Sequence, residues 1–130
     1  MNNKSTKAMR ICAWIMVAPI LLFLLMAGVT KVLGINPLEE VEFMSGWVFW
    51  IGLGELTAGI LFAIPRTSIL GALALSAHLG GVILFHIIRG EDLFGPDIFT
   101  SFWFQSLMLA LVWLVTVLRY PGILYNFEDK

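Results

Sequence analysis

Four long apolar stretches run through this sequence and restrict what it can fold into. They cover residues 11–33, 46–64, 67–88 and 98–118. A helix that crosses the roughly 30 Å hydrocarbon layer of a bilayer needs about 20 such residues. The chain is 59% hydrophobic and only 13% charged, whereas a small soluble domain buries about 60–70% of its surface. The sequence therefore predicts an all-α polytopic membrane protein, an antiparallel bundle of four transmembrane helices forming one domain over residues 1–130.

The connections between the stretches predict how the helices follow one another. Pro65 and Arg66 leave room only for a tight hairpin, so the second and third spans should pack antiparallel. Residues 34–45 mix acidic and apolar side chains after Asn36-Pro37, which is consistent with a short interfacial helix or with an irregular acidic loop. The first span follows basic residues as a signal peptide does, but its apolar run exceeds the roughly 7–15 residues of a signal core. We expect it to be retained.

The distribution of basic residues predicts the orientation in the membrane. With the N-terminus inside, the cytoplasmic side holds six basic residues and the outer side two. The six are Lys4, Lys7, Arg10, Arg66, Arg119 and Lys130, and the two are Lys31 and Arg89. Since Lys and Arg resist translocation, both termini are expected in the cytoplasm, and the expected location is the bacterial cytoplasmic (inner) membrane.

The remaining composition excludes several classes of function. The chain has a single cysteine, Cys12, so neither an internal disulfide nor a CxxC redox pair can form. It has no basic tract, so nucleic acid is not an expected partner. The expected partner is the lipid bilayer.

Polar residues inside the apolar stretches are the candidates for function. They are Lys31, Glu55, His78, His86 and Gln105. A charge at mid-bilayer costs about 2.5–3.5 kcal/mol on insertion scales, so such groups normally face the bundle interior and find partners. From the helical rise, Glu55 and His78 lie roughly 13 and 15 Å below the outer ends of their spans. We predict one ligand-binding pocket in the outer half of the bundle, formed by all five residues.

Helical phase predicts which of these side chains meet. Gly52, Glu55 and Gly59 share one face of the second span. On the third span a stripe of mostly small residues contains Thr67, Gly71, Ala74, His78 and Gly81. Small residues allow close approach of helices in lipid, so we predict a contact between Glu55 and His78 and assign both as catalytic candidates. Lys31 either reaches Glu55 or extends outward to water. Gln105, taken alone, is typical of a hydrogen bond that holds helices together.

Several short motifs resemble the DoxX-like family of small four-helix membrane proteins. They are Gly28-Val29-Thr30-Lys31, Gly54-Glu55-Leu56, Ala58-Gly59, Ile64-Pro65-Arg66, Gly71-Ala72 and the stretch from Gly81 to His86. Their order extends over nearly the whole chain. The resemblance implies a four-helix bundle with Lys31, Glu55 and His86 at recurrent polar positions. It also implies a link to membrane redox complexes, because the family takes its name from a thiosulfate:quinone oxidoreductase subunit.

Two main hypotheses of function follow, and they leave open whether the protein is an enzyme. The first is a redox-linked subunit that binds a quinone or another lipid-soluble small molecule, with electrons supplied by a protein partner. The sequence has no haem or flavin motif, and His78 and His86 lie about 80° apart on one helix, so they cannot clamp one haem. The second is a non-enzymatic chaperone, assembly partner, or lipid or small-solute binding protein.

A proton-coupled transporter is a third hypothesis, with Glu55 and His78 as a proton relay. Four helices are few for a transporter, so this hypothesis requires a homo-oligomer. Metal binding has no specific signal, because neither HExxH nor a Cys/His ligand spacing occurs. We therefore assign no metal ligands.

Overall fold

Every regular element that the structure describes is a helix. The structure is a computed structural model, and it describes residues 3–90 and 101–125. The elements are α1 (Asn3–Val32), a single 3-10 turn (Pro37–Glu40), α2 (Val48–Ala63), α3 (Ser68–Ile88), α4 (Phe102–Arg119) and the short α5 (Gly122–Tyr125).

Three of these helices are long and apolar enough to cross a membrane. They are α1, α3 and α4. The apolar α2 has 16 residues, which corresponds to about 24 Å of helix and is shorter than the hydrocarbon layer. The helix bounds follow the predicted spans, except that α1 begins at Asn3 rather than at residue 11, and α2 is slightly shorter than predicted. Residues 98–100 of the fourth predicted span lie outside the described residues.

Glycine and asparagine end α1 and begin the connection to α2. Gly34 has a φ of 68°, which glycine adopts without steric cost. This lets the Gly34 and Ile35 amides bond back to the carbonyls of Lys31 and Thr30, at 3.2 and 3.1 Å, in a Schellman arrangement. The Asn36 side chain then accepts from the Leu38 amide at 3.1 Å. The predicted interfacial segment is therefore one 3-10 turn followed by further turns.

The chain divides into two compact units. One unit is Ile20–His78 and contains the later part of α1, all of α2 and the first part of α3. The other unit contains the residues on either side of it, of which 3–19, 79–90 and 101–125 are described. Fully buried apolar side chains occur in both, with Leu24, Val48, Phe62 and Leu75 in the first and Val17, Leu79, Val112 and Val115 in the second.

Within the unit Ile20–His78, α2 and α3 form the predicted tight hairpin. Four residues separate Ala63 from Ser68, and the Thr67 hydroxyl donates to the Leu61 carbonyl at 2.9 Å. The two backbones then approach so closely that a Cβ atom on Gly71 would overlap the backbone of Phe62. Glycine at this position is what allows the two helices to pack.

The predicted stripe of α3 is partly wrong. Gly71 is buried and His78 nearly so, but Ala74 and Gly81 are exposed. The buried line instead contains Ser68, Ala72, Leu75 and Leu79, so the packed face is rotated by roughly one residue position from the prediction. The physical reason is volume: Leu75 and Leu79 fill the interior toward the end of the buried line, and glycine is needed only where the α2 backbone comes close.

The close contact at Gly71 predicts opposite effects for two similar substitutions in α3. Gly71→Ala should lower the free energy of unfolding by about 1–3 kcal/mol, because the new methyl group overpacks the helix pair. Gly81→Ala is the matched control, since a Cβ atom there meets nothing within 4 Å, and it should be neutral or stabilising by about 0.5–1 kcal/mol. Unfolding in mixed detergent micelles, followed by circular dichroism, measures both. Equal effects would contradict the described contact.

Candidate functional site

Three ionisable side chains from three helices meet inside the unit Ile20–His78. Lys31 lies in the last turn of α1, Glu55 in the middle of α2 and His78 in α3. Their side chains are only 9%, 3% and 15% exposed, respectively. We call these three residues the buried triad. Because they lie within apolar helices, their mutual contacts replace the water that each would otherwise require.

Glu55 is the central member of the triad. Its Oε2 atom accepts a hydrogen bond from the Lys31 ammonium group in a buried ion pair. Its Oε1 atom lies 3.6 Å from Nε2 of His78, which is longer than an ordinary hydrogen bond. The predicted contact between Glu55 and His78 is therefore present. Of the two alternatives for Lys31, the structure shows the one in which it reaches Glu55.

Small residues bring α1 and α2 close enough for the ion pair to form. A Cβ atom on Gly52 would lie 2.8 Å from the Gly28 carbonyl oxygen and 2.6 Å from Cβ of Lys31. A Cβ atom on Gly28 would lie 2.7 Å from the Leu56 side chain. Both glycines precede a charged member of the triad by three residues, or nearly one helical turn. The glycine contact and the ion pair are thus parts of one helix interface.

The triad offers a definite set of hydrogen-bonding groups. Lys31 supplies an ammonium donor, Glu55 supplies a carboxylate acceptor, and the imidazole of His78 can donate or accept depending on its protonation. The charges of Lys31 and Glu55 cancel, so protonation of His78 would give the buried triad a net charge of about +1. The wider spacing between His78 and Glu55 and the greater exposure of His78 make the histidine the member best placed to contact a ligand.

The other two predicted ligand residues, His86 and Gln105, lie in the second unit. His86 is in the last turn of α3 and Gln105 in the first part of α4. They are 9% and 8% exposed, so both are buried, as expected for polar residues that avoid lipid. Their membership of the same pocket as the triad stays a prediction. Among residues 3–90 and 101–125, no group of three or more His, Cys, Asp or Glu side chains is arranged to hold a metal.

Sequence reasoning missed a contact in the second unit. The Arg119 guanidinium lies over the Trp14 ring, 4.5 Å from the ring centre. The available signal was that both residues lie near the ends of predicted spans, on the side to which the charge rule assigns Arg119. Trp14 and Arg119 lie far apart in the sequence, so no local pattern indicated that they are in contact.

The helices and the buried triad define a class: an α-helical protein with helices able to cross a membrane and a cluster of ionisable side chains inside them. No family model, no curated protein and no solved structure matches the chain. The resemblance to the DoxX-like family therefore depends only on the motifs named above.

Energetic coupling between Lys31 and Glu55 provides a test of the ion pair. Lys31→Met and Glu55→Gln should each lower the free energy of unfolding by about 3–5 kcal/mol, because each leaves one buried group without its partner. The double variant should lose clearly less than the sum of the two. SDS titration in mixed micelles measures the cycle, and Thr57→Val, at an exposed position on α2, is the control. Strictly additive losses would show that the contact contributes nothing.

Proposed function

We propose that the protein is an integral membrane protein that binds a quinone, or another lipid-soluble small molecule with carbonyl groups, at the buried triad. In this proposal it acts as a redox-linked subunit. The main observation that supports the proposal is that three ionisable side chains, from three helices, lie together within apolar segments. Ionisable groups inside membrane helices are expensive and normally mark a pathway or a ligand site.

The chemistry of the triad fits a quinone head. A quinone carbonyl accepts hydrogen bonds, and Lys31 and His78 are both donors of the kind that polarise it. Reduction to a quinol consumes two electrons and two protons, so a proton donor beside the carbonyl is required. In the proposal His78 delivers the two protons in turn, taking up the second from water, and Glu55 orients the imidazole. The electrons come from a partner protein.

The DoxX-like resemblance supports the same proposal by analogy, since it places Lys31, Glu55 and His86 at recurrent polar positions. A likeness of fold does not by itself transfer an activity. We therefore derive the proposal from the triad and use the family only to favour a redox function over other uses of a polar pocket.

A second candidate function is a membrane chaperone or assembly partner without a ligand. The observation that favours it is the ion pair itself, because Lys31 and Glu55 satisfy each other and so stabilise the α1–α2 interface without any third molecule. In that case the triad only stabilises the packing of the helices, and a protein partner binds at another surface of the protein. Proton-coupled transport would use Glu55 and His78 as a relay and needs a homo-oligomer.

Analysis of co-purifying lipids separates the first two candidates. Protein purified in a mild detergent should retain a quinone that mass spectrometry identifies in the organic extract. His78→Asn should reduce the retained amount by a factor of about 10 to 100, because loss of one charge-assisted hydrogen bond costs about 1.5–3 kcal/mol. Glu55→Gln should reduce it as well without preventing membrane insertion.

The matched control for this experiment is Ser76→Ala. Ser76 lies on the same helix as His78, and its hydroxyl donates to the Ala72 carbonyl of that helix at 2.7 Å, so the substitution should leave ligand retention unchanged. A ligand-free protein that instead co-purifies with a stoichiometric protein partner would favour the second candidate. Retention that is identical in wild type, His78→Asn and Glu55→Gln would refute binding at the triad.

We also propose that both termini lie in the cytoplasm of a bacterial inner membrane. The excess of basic residues on one side of the predicted spans supports this orientation. In a Cys12→Ser background, Ser45→Cys should react with a membrane-impermeant maleimide in intact cells, because Ser45 is exposed in the connection assigned to the outer side. Green fluorescent protein fused after Lys130 should fluoresce. Labelling of the Ser45→Cys variant only after permeabilisation would show that this connection lies on the cytoplasmic side, and it would contradict the proposed orientation.

A further inference from the structure

Lys31 lies one residue before the end of α1, where a helix frays most easily because its last carbonyl groups lack partners within the helix. Its Cβ atom packs against α2 at Gly52, where an added Cβ atom would lie 2.6 Å away. The backbone fixes the direction of Cβ, and that direction turns by about 100° per residue. The ion pair with Glu55 therefore requires residue 31 to stay helical. If the last turn unwound, the long lysine stem could extend to water instead.

The connection after α1 closes this last turn through backbone hydrogen bonds. The amides of Gly34 and Ile35 donate to the carbonyls of Lys31 and Thr30, at 3.2 and 3.1 Å. These bonds depend on Gly34, whose φ is 68°, a conformation that costs most other residues free energy. A Cβ atom at Gly34 would meet nothing within 4 Å. The cost of a substitution there is therefore a cost of backbone conformation alone.

Asn36 adds a side-chain link to the same turn. Its Nδ2 group donates to the hydroxyl oxygen of Thr30 at 3.3 Å, and this hydroxyl donates to the Ala27 carbonyl at 2.9 Å. The Oδ1 atom of Asn36 accepts from the Leu38 amide at 3.1 Å. One amide side chain thus connects the last turn of α1 with the 3-10 turn that follows it.

We infer that Asn36 is a positioning residue for the buried triad. Together with Gly34 it keeps the last turn of α1 closed, and the closed turn directs Lys31 toward Glu55 rather than toward water. Opening of the turn releases the lysine side chain, and Glu55 then loses a partner that replaces its hydration. Because the ion pair is present in the structure without a ligand, this role of Asn36 is independent of any molecule bound at the triad.

Chemical labelling of Lys31 tests the inference in the full chain, reconstituted into nanodiscs so that both faces are open to water. The probe is sulfo-N-hydroxysuccinimidyl acetate, which acetylates amines that water reaches. Peptide mass spectrometry gives the yield at Lys31 relative to Lys7, which is exposed. Asn36→Ala and Thr30→Val should each raise this relative yield about fivefold, the equivalent of about 1 kcal/mol for one hydrogen bond. The double variant should rise by clearly less than the product, because the two residues share a bond.

Two substitutions at Gly34 test the closed turn without touching Asn36. Gly34→Val should raise the relative yield at Lys31 about tenfold, because a β-branched residue resists a positive φ. Gly34→Asn is the conservative variant and should stay close to the wild type, since asparagine adopts this conformation readily. Gly34 is exposed and Asn36 only partly buried, so these variants should still fold.

Ser45→Ala is the matched control, since the Ser45 hydroxyl also bonds to a backbone carbonyl of the connection, at 3.2 Å. Gly71→Ala controls for a general loss of stability. Neither should raise the yield at Lys31, and a rise in either that equals the rise in Asn36→Ala would overturn the inference. Equal yields in wild type, Asn36→Ala and Gly34→Val would overturn it as well. Release of Lys31 by Asn36→Ala, in a protein that retains no quinone, would support the positioning role and count against the proposed function.

Discussion

The buried contact of Glu55 with Lys31 and His78 is the constraint on which the unit Ile20–His78 depends. A lone charge among these apolar helices would face a desolvation cost that few local contacts could offset. Three helices therefore have to present their ionisable residues to one another. Glu55 contacts α1 through the ion pair and α3 through the imidazole, so a single carboxylate links all three helices of the unit.

Small residues meet this constraint by allowing the backbones to come close. In lipid there is no hydrophobic force between helices, so association depends on van der Waals packing and polar contacts. Gly28 and Gly52 allow the approach of α1 to α2, and Gly71 allows that of α3 to α2. The same glycines permit the ion pair, because a wider interface would separate Lys31 from Glu55. The packing of the helices and the geometry of the site therefore depend on the same glycines.

In the unit Ile20–His78 the charges of Lys31 and Glu55 compensate each other away from water. Buried charges need partners within the protein, because water does not solvate them there. Since three ionisable side chains from three helices meet within apolar segments, they are proposed as a ligand site.

The sequence by itself determined the helical class, the approximate helix bounds and the tight α2–α3 hairpin, because hydrophobic runs and Pro65-Arg66 act locally. It also identified Glu55 and His78 as neighbours, since depth and helical phase follow from a fixed rise and turn per residue. Only the tertiary structure decided that Lys31 pairs with Glu55 rather than extending to water, that Ala74 and Gly81 face outward, and that Arg119 stacks on Trp14. These outcomes depend on how closely helices distant in sequence approach, which is a property of packed volumes and not of any one segment.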